Sequence, residues 1–444
     1  MDGNGKIKMK KDILKKNIEE KMKSYIFLIL DEVEKNYDKK CLDLEYLSDY
    51  LLLACISLEI HYKTAKWEEI GYVLSYNIKE IVEEYKIHKY NTGMIGGYGY
   101  ACFCVNYYSR LTGHLKRFSK SMHNLLLDEI SKNIASYTDD IKTNKSNNFD
   151  CISGTAGNLY YLLDVDNIDL KRKNEVINQM VNYLIWLTNT HSYHGKEVFN
   201  FHIASENQFL GSEKIAFPNG NFNFGMSHGL ISPLVALSKA YAVGQRNEGL
   251  VDAINILSNV YKKFKIKKNN SVYWPAQLSF ESFYSGVVNE EEIHYASSWC
   301  YGNTGVLCGL ILSSKYTNDE DSEQQYKNEL ICALNRPIEQ TYLVSSALCH
   351  GYTSVLAGKL LLLHEPEGKA FNKELNEHIE AIINLSNYST KIAQEHPKEV
   401  TTEEGYLEGY IGDYSLLNGV TGIVAVFSEI LYGIKEYRKL LLIG

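Results

Sequence analysis

Apolar residues recur along this chain at helical spacing. Over residues 6 to 36, Ile13, Leu14, Ile18, Met22, Tyr25 and Ile29 fall one, three or four apart, opposite a face rich in lysine. That pattern predicts an amphipathic surface helix; docking to a membrane or partner is the alternative use of such a face. Residues 46 to 88 continue in helical register, with Leu51, Leu52, Leu53, Cys55, Ile56 and Leu58 as a buried stripe. Shorter apolar runs follow at Leu159 to Leu163, Leu234 to Leu237, Val306 to Leu312, Val355 to Leu363 and Ile423 to Ile430.

Each of these later runs follows a glycine with a small residue three positions on. Counting one earlier instance, the motif occurs six times: Gly96 to Gly99, Gly154 to Gly157, Gly229 to Ser232, Gly302 to Gly305, Gly351 to Ser354 and Gly419 to Gly422. The first glycines are 58, 75, 73, 49 and 68 residues apart. Such an interval holds two helices and their loops, so the unit is a helical hairpin repeated six times. A glycine at the turn permits unusual backbone dihedrals, and a small residue one turn later lets neighbouring helices approach. Closed into a ring, the hairpins would gather their glycine turns at one mouth; left open, they would form a solenoid.

The helical period breaks over residues 191 to 226. Glu197 to Ile203 and Phe217 to Phe222 carry alternating or aromatic-rich runs, which predict a β-containing insertion or a long ordered loop near the mouth. Ser271 to Phe283, with Trp274-Pro275, reads similarly, and the polar segments 134 to 149 and 313 to 327 read as exposed loops. The expectation is an all-α fold with a small β-containing insertion, carried by one domain over residues 1–444.

Composition narrows this picture. Six prolines in 444 residues favour long helices, and 45% hydrophobic with 23% charged residues is ordinary for a globular chain. A net charge of -8 and the lack of a basic cluster argue against a nucleic-acid surface. Nine scattered cysteines do not have the density of a secreted disulfide framework. The longest early apolar run, Ile26 to Leu30, is too short for a signal sequence, and no stretch reaches the length of a membrane span. A cytoplasmic protein is expected.

Two glycine turns carry soft ligands: Ser298-Trp299-Cys300-Tyr301-Gly302 and Leu348-Cys349-His350-Gly351. Two thiolates and an imidazole make a zinc set with one position left open, the arrangement of a catalytic site. The spacing alone is not that of a zinc finger, and the same residues also read as small buried cysteines and a core histidine. What favours the metal is register, since Cys300, Cys349 and His350 precede their glycines by two, two and one. His228 precedes Gly229 by one, so it should reach the same mouth as an acid or base, with Asp150 placed to orient it. Tyr301 reads either as a packing aromatic or as a proton donor.

With Ser227-His228-Gly229, Trp299-Cys300-Tyr301-Gly302 and Cys349-His350-Gly351 in place, the chain from about residue 46 to its end resembles the lanthionine synthetase C family, the cyclases of lantibiotic peptides. The resemblance implies an α/α toroid, a double ring of helices, with zinc (Zn2+) held by Cys300, Cys349 and His350. It implies His228 as the acid/base histidine, with Asp150 and Tyr301 contributing, and the β-containing stretch 191–226 as an extension of the toroid. The implied substrate is a dehydrated precursor peptide whose cysteine thiols add to dehydroalanine or dehydrobutyrine. The implied partners are a lantibiotic dehydratase and an exporter, which would place the protein peripherally at the membrane within a biosynthetic complex. Family members often carry an arginine three residues before the tryptophan; here Ala296 stands there, and His294 is the substitute within reach in sequence. Alternative readings are a glutathione- or prenyl-transferring zinc enzyme that activates thiols, and a non-catalytic peptide-binding scaffold.

Overall fold

The computed structural model describes residues 14–37, 43–85, 91–139, 141–166, 168–363, 365–371, 374–395, 400–402, 405–407 and 413–444. Among the described residues, fourteen helices of eight or more residues build the fold. They are α1 (Lys16–Asn36), α2 (Leu44–Glu59), α3 (Thr64–Tyr85), α4 (Tyr98–Thr112), α5 (Lys116–Asp139), α6 (Thr155–Leu162), α7 (Leu170–Trp186), α8 (Ile231–Ala242), α9 (Leu250–Lys263), α10 (Asn303–Thr317), α11 (Glu320–Leu334), α12 (Tyr352–Leu362), α13 (Leu375–Glu395) and α14 (Val420–Tyr432). The first begins at Lys16; residues 6–13 of the expected helix, and 86–88 of the next one, lie outside the described residues.

Even-numbered helices form an inner wall and odd-numbered ones an outer wall. Along the inner wall α2 packs on α4, α6 on α8, α8 on α10, α10 on α12, α12 on α14, and α14 returns to α2. Phe103 of α4 meets Tyr161 of α6 edge-on at 5.7 Å and completes the circuit. The result is an α/α toroid. The six glycine-led helices are all present, and a seventh, α2, closes the ring without the motif. Its inner helices are apolar nearly all round, so every residue from Asn303 to Ser314 of α10 is buried. The outer helices are amphipathic; α9 buries Leu250, Ala253, Ile254, Leu257, Val260 and Tyr261 at helical spacing.

Two kinds of helix start recur, and inner α2 shares the first of them, with Asp43 accepting the Glu45 N–H. Outer helices α7 and α11 start at Asp169 and Asp319, whose carboxylates accept the backbone N–H of Arg172 and Ser322. Five inner helices instead begin after Gly97, Gly154, Gly302, Gly351 and Gly419, none with a side-chain cap. Gly96, which opens the first motif, does hold a positive φ of +67°, as expected of it, but these five glycines have ordinary negative φ, between -85° and -124°, so unusual dihedrals are not the reason for glycine there. Space is the reason. A Cβ on Gly302 would lie 2.2 Å from the Ala296 carbonyl oxygen, and one on Gly305 would lie 1.9 Å from the Trp299 carbonyl oxygen. The second small residue thus admits first the backbone of its own loop, and the neighbouring helix only after that.

The glycine loops share one closure. In each, a backbone N–H reaches the carbonyl seven residues earlier: Tyr98 to Asn91, Gly157 to Asp150, Leu230 to Asn223, Gly305 to Ser298, Tyr352 to Ser345 and Val420 to Asp413, at 2.9–3.4 Å. Consecutive loops are then stitched to one another. Ile95 donates to Ile152, Cys151 to Ser227, Ser227 to Cys300, Cys300 to Cys349 and Cys349 to Leu417. At the seventh position, where α2 brings no such loop, a side chain substitutes: Asp49 Oδ1 accepts the Leu416 N–H at 3.0 Å and the Tyr100 hydroxyl at 2.7 Å. This belt holds all six loops at one height. The final residues, 438–444, pass between inner helices, with Tyr160 donating to the Gly444 carbonyl and Trp299 to the Leu441 carbonyl.

Short strands interrupt the helices. β1 (Thr190–Tyr193) pairs with β2 (Lys196–Phe199) through a turn at His194 and Gly195, both with positive φ, as a two-residue hairpin turn requires. β3 (Asn221–Asn223) pairs with β6 (Gln277–Ser279), and β4 (Ile266–Lys268) with β5 (Ser271–Tyr273); β7 (Val400–Thr402) and β8 (Gly405–Leu407) form a further ribbon. The two non-helical stretches read separately from the sequence are therefore joined by the β3–β6 ladder, sealed by Phe222 stacked on Phe283 at 4.0 Å. Two loop expectations fail. Residues 313–317 complete α10 and 320–327 begin α11, while 134–139 complete α5 and Ser146–Phe149 form a helical turn. Ser313 and Ser314 are buried polar residues of the inner wall, and the polarity of most of the rest marks solvent-facing helical surface, which a loop reading based on composition does not separate from coil.

Candidate metal centre

The loop before α10 carries Trp299, Cys300 and Tyr301, and the loop before α12 carries Cys349 and His350. The Cys300 N–H to Cys349 carbonyl bond of the belt, 3.3 Å, sets these loops side by side. Cys300 Sγ, Cys349 Sγ and one ring nitrogen of His350 consequently lie within 4.8 Å of one another, the only such group of three potential donors among the described residues. Cys349 Sγ is 3.9 Å from His350 Nε2. Both cysteines are buried and the histidine is exposed, so the donors converge at the boundary between ring interior and mouth.

This donor set fits a soft divalent ion. Tetrahedral zinc, with Zn–S near 2.3 Å and Zn–N near 2.0 Å, places its donors roughly 3.5–3.8 Å apart. The Cys349 Sγ to His350 Nε2 separation of 3.9 Å is already close to that spacing, and no pair of the three exceeds 4.8 Å. The acid–base properties point the same way. Burial opposes ionisation of Cys300, but hydrogen bonding from Cys349 and His350, His350's charge and the Ser227 hydroxyl outweigh it and hold the thiol well below its ordinary value. Hydrogen bonding to Cys300, then burial, pushes Cys349 up; the contact with Cys300 raises His350 against the opposing effect of burial. Negative charge is thus already favoured on one sulfur and positive charge beside it.

Next to the donors stands a second pair. Asp150 Oδ2 accepts from His228 Nδ1 at 2.6 Å, while its other oxygen takes the N–H groups of Ser153 and Gly154 at 2.7 and 2.8 Å. The carboxylate is fully buried, whereas the imidazole keeps 35% of its side-chain surface. Burial pulls the His228 pKa down, but the Asp150 hydrogen bond and charge prevail and raise it. The ring of Tyr301 lies between the two groups, 6.4 Å from both His228 and His350, and its hydroxyl is kept neutral by burial and by Cys300.

All six residues singled out from the sequence, Cys300, Cys349, His350, His228, Asp150 and Tyr301, thus meet at one mouth. His294, offered as a substitute cation, has its pKa lowered by burial and by His350, and so does not supply a charge. A cation does reach this segment: the Arg336 guanidinium donates to Ser297, the neighbour of Ala296, and to the Tyr273 hydroxyl at 2.9 Å. Nothing in the local sequence pattern of Arg336 marks it. Sequence reasoning also passed over Ser227, whose hydroxyl oxygen is 2.7 Å from Cys300 Sγ; its place just before His228 was the available signal. Cys151, in the same belt, directs its thiol to the Met226 carbonyl at 3.1 Å and is not one of the converging donors.

A closed ring of helical hairpins with two cysteines and a histidine converging from adjacent glycine loops defines a class, and the comparisons name it. The chain belongs to the family described as lanthionine synthetase C-like protein, whose model matches residues 51–442. It is 26% identical over 302 residues to the nisin biosynthesis protein NisC of Lactococcus lactis subsp. lactis, an alignment covering 66% of this chain and 64% of that one. Its fold matches that of a solved nisin cyclase with a TM-score of 0.78, at 20% identity, over 97% of this chain and 98% of the other. Among the described residues no helix is long and apolar enough to cross a membrane.

Proposed function

We propose that this protein is a zinc-dependent cyclase that closes thioether rings in a dehydrated peptide, adding cysteine thiols to dehydroalanine or dehydrobutyrine. The observation that carries the reading is the meeting of Cys300, Cys349 and His350 beside the His228–Asp150 pair. The substrate is a lantibiotic precursor peptide; a dehydratase that prepares it and an exporter that removes the product are the partners this chemistry needs. The β elements between 190 and 223 form an extension on a single toroid domain.

Cys300, Cys349 and His350 would hold the ion, and three protein donors would leave room for a substrate thiol. Zinc bound there would strip the proton from a coordinating substrate thiol, mostly protonated at neutral pH, and keep its sulfur nucleophilic. Ring closure makes one S–C bond, converts the C=C bond to a single bond, and needs a proton at the α-carbon. His228 supplies that proton. Its Nδ1–H is fixed on Asp150, which orients the ring, favours the imidazolium and leaves Nε2 to face substrate. Tyr301, neutral and central, donates a hydrogen bond to the carbonyl oxygen as charge develops there. Ser227 supports the Cys300 sulfur from behind.

The test joins metal analysis to a thiol count. Purified protein should carry about one zinc per chain, and incubation with a dehydrated, cysteine-containing peptide should block alkylation of the peptide thiol without changing its mass. Cys300→Ala should lose both metal and ring closure, and His228→Ala should keep the metal while ring closure slows. Full zinc occupancy in Cys300→Ala removes that residue from the ligand set, and wild-type protein that holds zinc but closes no ring removes the cyclase reading.

A further inference from the structure

Large apolar side chains exposed to water are scattered over most of this surface, yet the four most exposed among the described residues fall on two short segments. Val344 is 88% exposed, Phe209 86%, Ile215 84% and Tyr342 65%. Both segments are tied to the metal centre. The helical turn Gly211–Ala216, which lies between Phe209 and the following loop, is anchored by Glu213, whose carboxylate accepts from Gln277 at 2.8 Å. Gln277 pairs with Asn223 across the β3–β6 ladder. Two residues beyond, Gly225 packs so closely on Tyr301 that a Cβ there would lie 2.6 Å from the ring. At the second segment the Tyr352 hydroxyl, two residues past His350, donates to the Leu343 carbonyl at 2.8 Å. Tyr342 itself lies 6.4 Å from Tyr295 and holds φ of +56°, a conformation costly for a bulky residue.

We infer that Phe209 and Ile215 on one side, and Tyr342 and Val344 on the other, are two apolar lips that grip the substrate peptide on either side of the reacting cysteine. The inference rests on the cyclase reading and adds a preference to it: apolar residues flanking the cysteine. Continuity with the centre singles out this occupant. An extended peptide advances about 3.4 Å per residue, so a chain whose thiol sits at the donors must run its neighbouring residues out across the mouth. Side chains left in water at such a place gain their burial only when a partner arrives, as exposed apolar patches at binding sites do. The centre of the mouth offers imidazoles and a phenol for the reacting groups, and the lips offer the apolar surface the flanks need.

The test uses the zinc-loaded full chain and two fluorescently labelled linear peptides with one cysteine and no dehydrated residue, so that binding is read without reaction. One peptide flanks the cysteine with leucines, the other with serines. Wild type should bind the leucine peptide at least about tenfold more tightly, the size expected for burying one or two aliphatic side chains. Phe209→Ser/Ile215→Ser, and separately Val344→Ser, should erode that preference while zinc content and melting temperature stay unchanged. A preference absent from wild type, or intact in both variants, overturns the inference. So does sedimentation showing a wild-type dimer that the double variant abolishes, or wild-type adsorption to phosphatidylglycerol vesicles that it abolishes, since a second copy or a membrane would then own the lips. Cyclase assays on the same preparations keep the outcomes apart: wild type that binds with the preference but closes no ring refutes the cyclase reading and leaves the lips standing as a peptide site.

Discussion

Replacing Asp150 with asparagine isolates one interaction from everything around it. One carboxylate oxygen closes the loop by accepting the N–H groups of Ser153 and Gly154, and the other accepts from His228 at 2.6 Å. Asparagine keeps one oxygen, and the two loop N–H groups will claim it. Its amide NH2 then faces His228 Nδ1, where it can only donate. The imidazole must answer as an acceptor at Nδ1, moving its proton to Nε2 and disfavouring the imidazolium. A hydrogen bond to a charged partner contributes about 1.5–3 kcal/mol, and the 35% exposure of the imidazole argues for the lower end, about tenfold in population.

The sign follows from direction. Asp150 raises the His228 pKa, so the proton-donating form persists to higher pH in wild type, and activity is lost as pH rises through that raised value. In Asp150→Asn the alkaline limb of kcat should move to lower pH, with kcat at pH 8 down about tenfold or more and little change on the acid side. Zinc content and fold should persist, because the loop closure survives. The assay is kcat against pH by thiol blocking, with an NMR titration of the His228 ring. If kcat falls while the His228 titration stays where it was, or if zinc is lost, Asp150 does something other than hold His228 as an acid.

Two further outcomes test the ring itself. Gly305→Ala would drive a methyl to 1.9 Å from the Trp299 carbonyl and 2.9 Å from Met226 Cβ, so the loop bearing Cys300 must move. Destabilisation of about 3 kcal/mol and loss of zinc are expected, read by thermal melting and metal analysis; a variant as stable and as metal-loaded as wild type would show the close packing to be dispensable. Asp49→Ala strips two hydrogen bonds from the seventh joint of the belt and leaves the Tyr100 hydroxyl and Leu416 N–H buried without their acceptor. It should cost about 2–4 kcal/mol in urea unfolding, and Asp49→Asn, which keeps an acceptor, should cost far less; equal losses in the two variants would refute the joint.

Much of this was legible in the chain because it is periodic. Apolar spacing gave the helices, and six glycine turns gave the repeat and, through register, the expectation that residues 228, 300, 349 and 350 share a mouth. Those readings depend only on local geometry, which sequence spacing encodes directly. What eluded it was whatever depends on a partner distant in sequence. The seventh inner helix carries no motif, because its joint is made by one carboxylate, Asp49, bonded to residues 51 and 367 positions away. The glycines are required by the carbonyl of their own loop, a contact visible only once that loop is folded. Arg336 and Ser227 lie beside the site through contacts that no spacing predicts, and polar stretches within α10 and α11 looked like loops because exposure and coil share a composition. The sequence by itself determined the period, the donor types and their register; the tertiary structure decided which atoms meet. A belt of backbone hydrogen bonds between loops tens of residues apart brings Cys300, Cys349 and His350 within 4.8 Å, and such pairing is a property of the closed ring and of none of its segments alone.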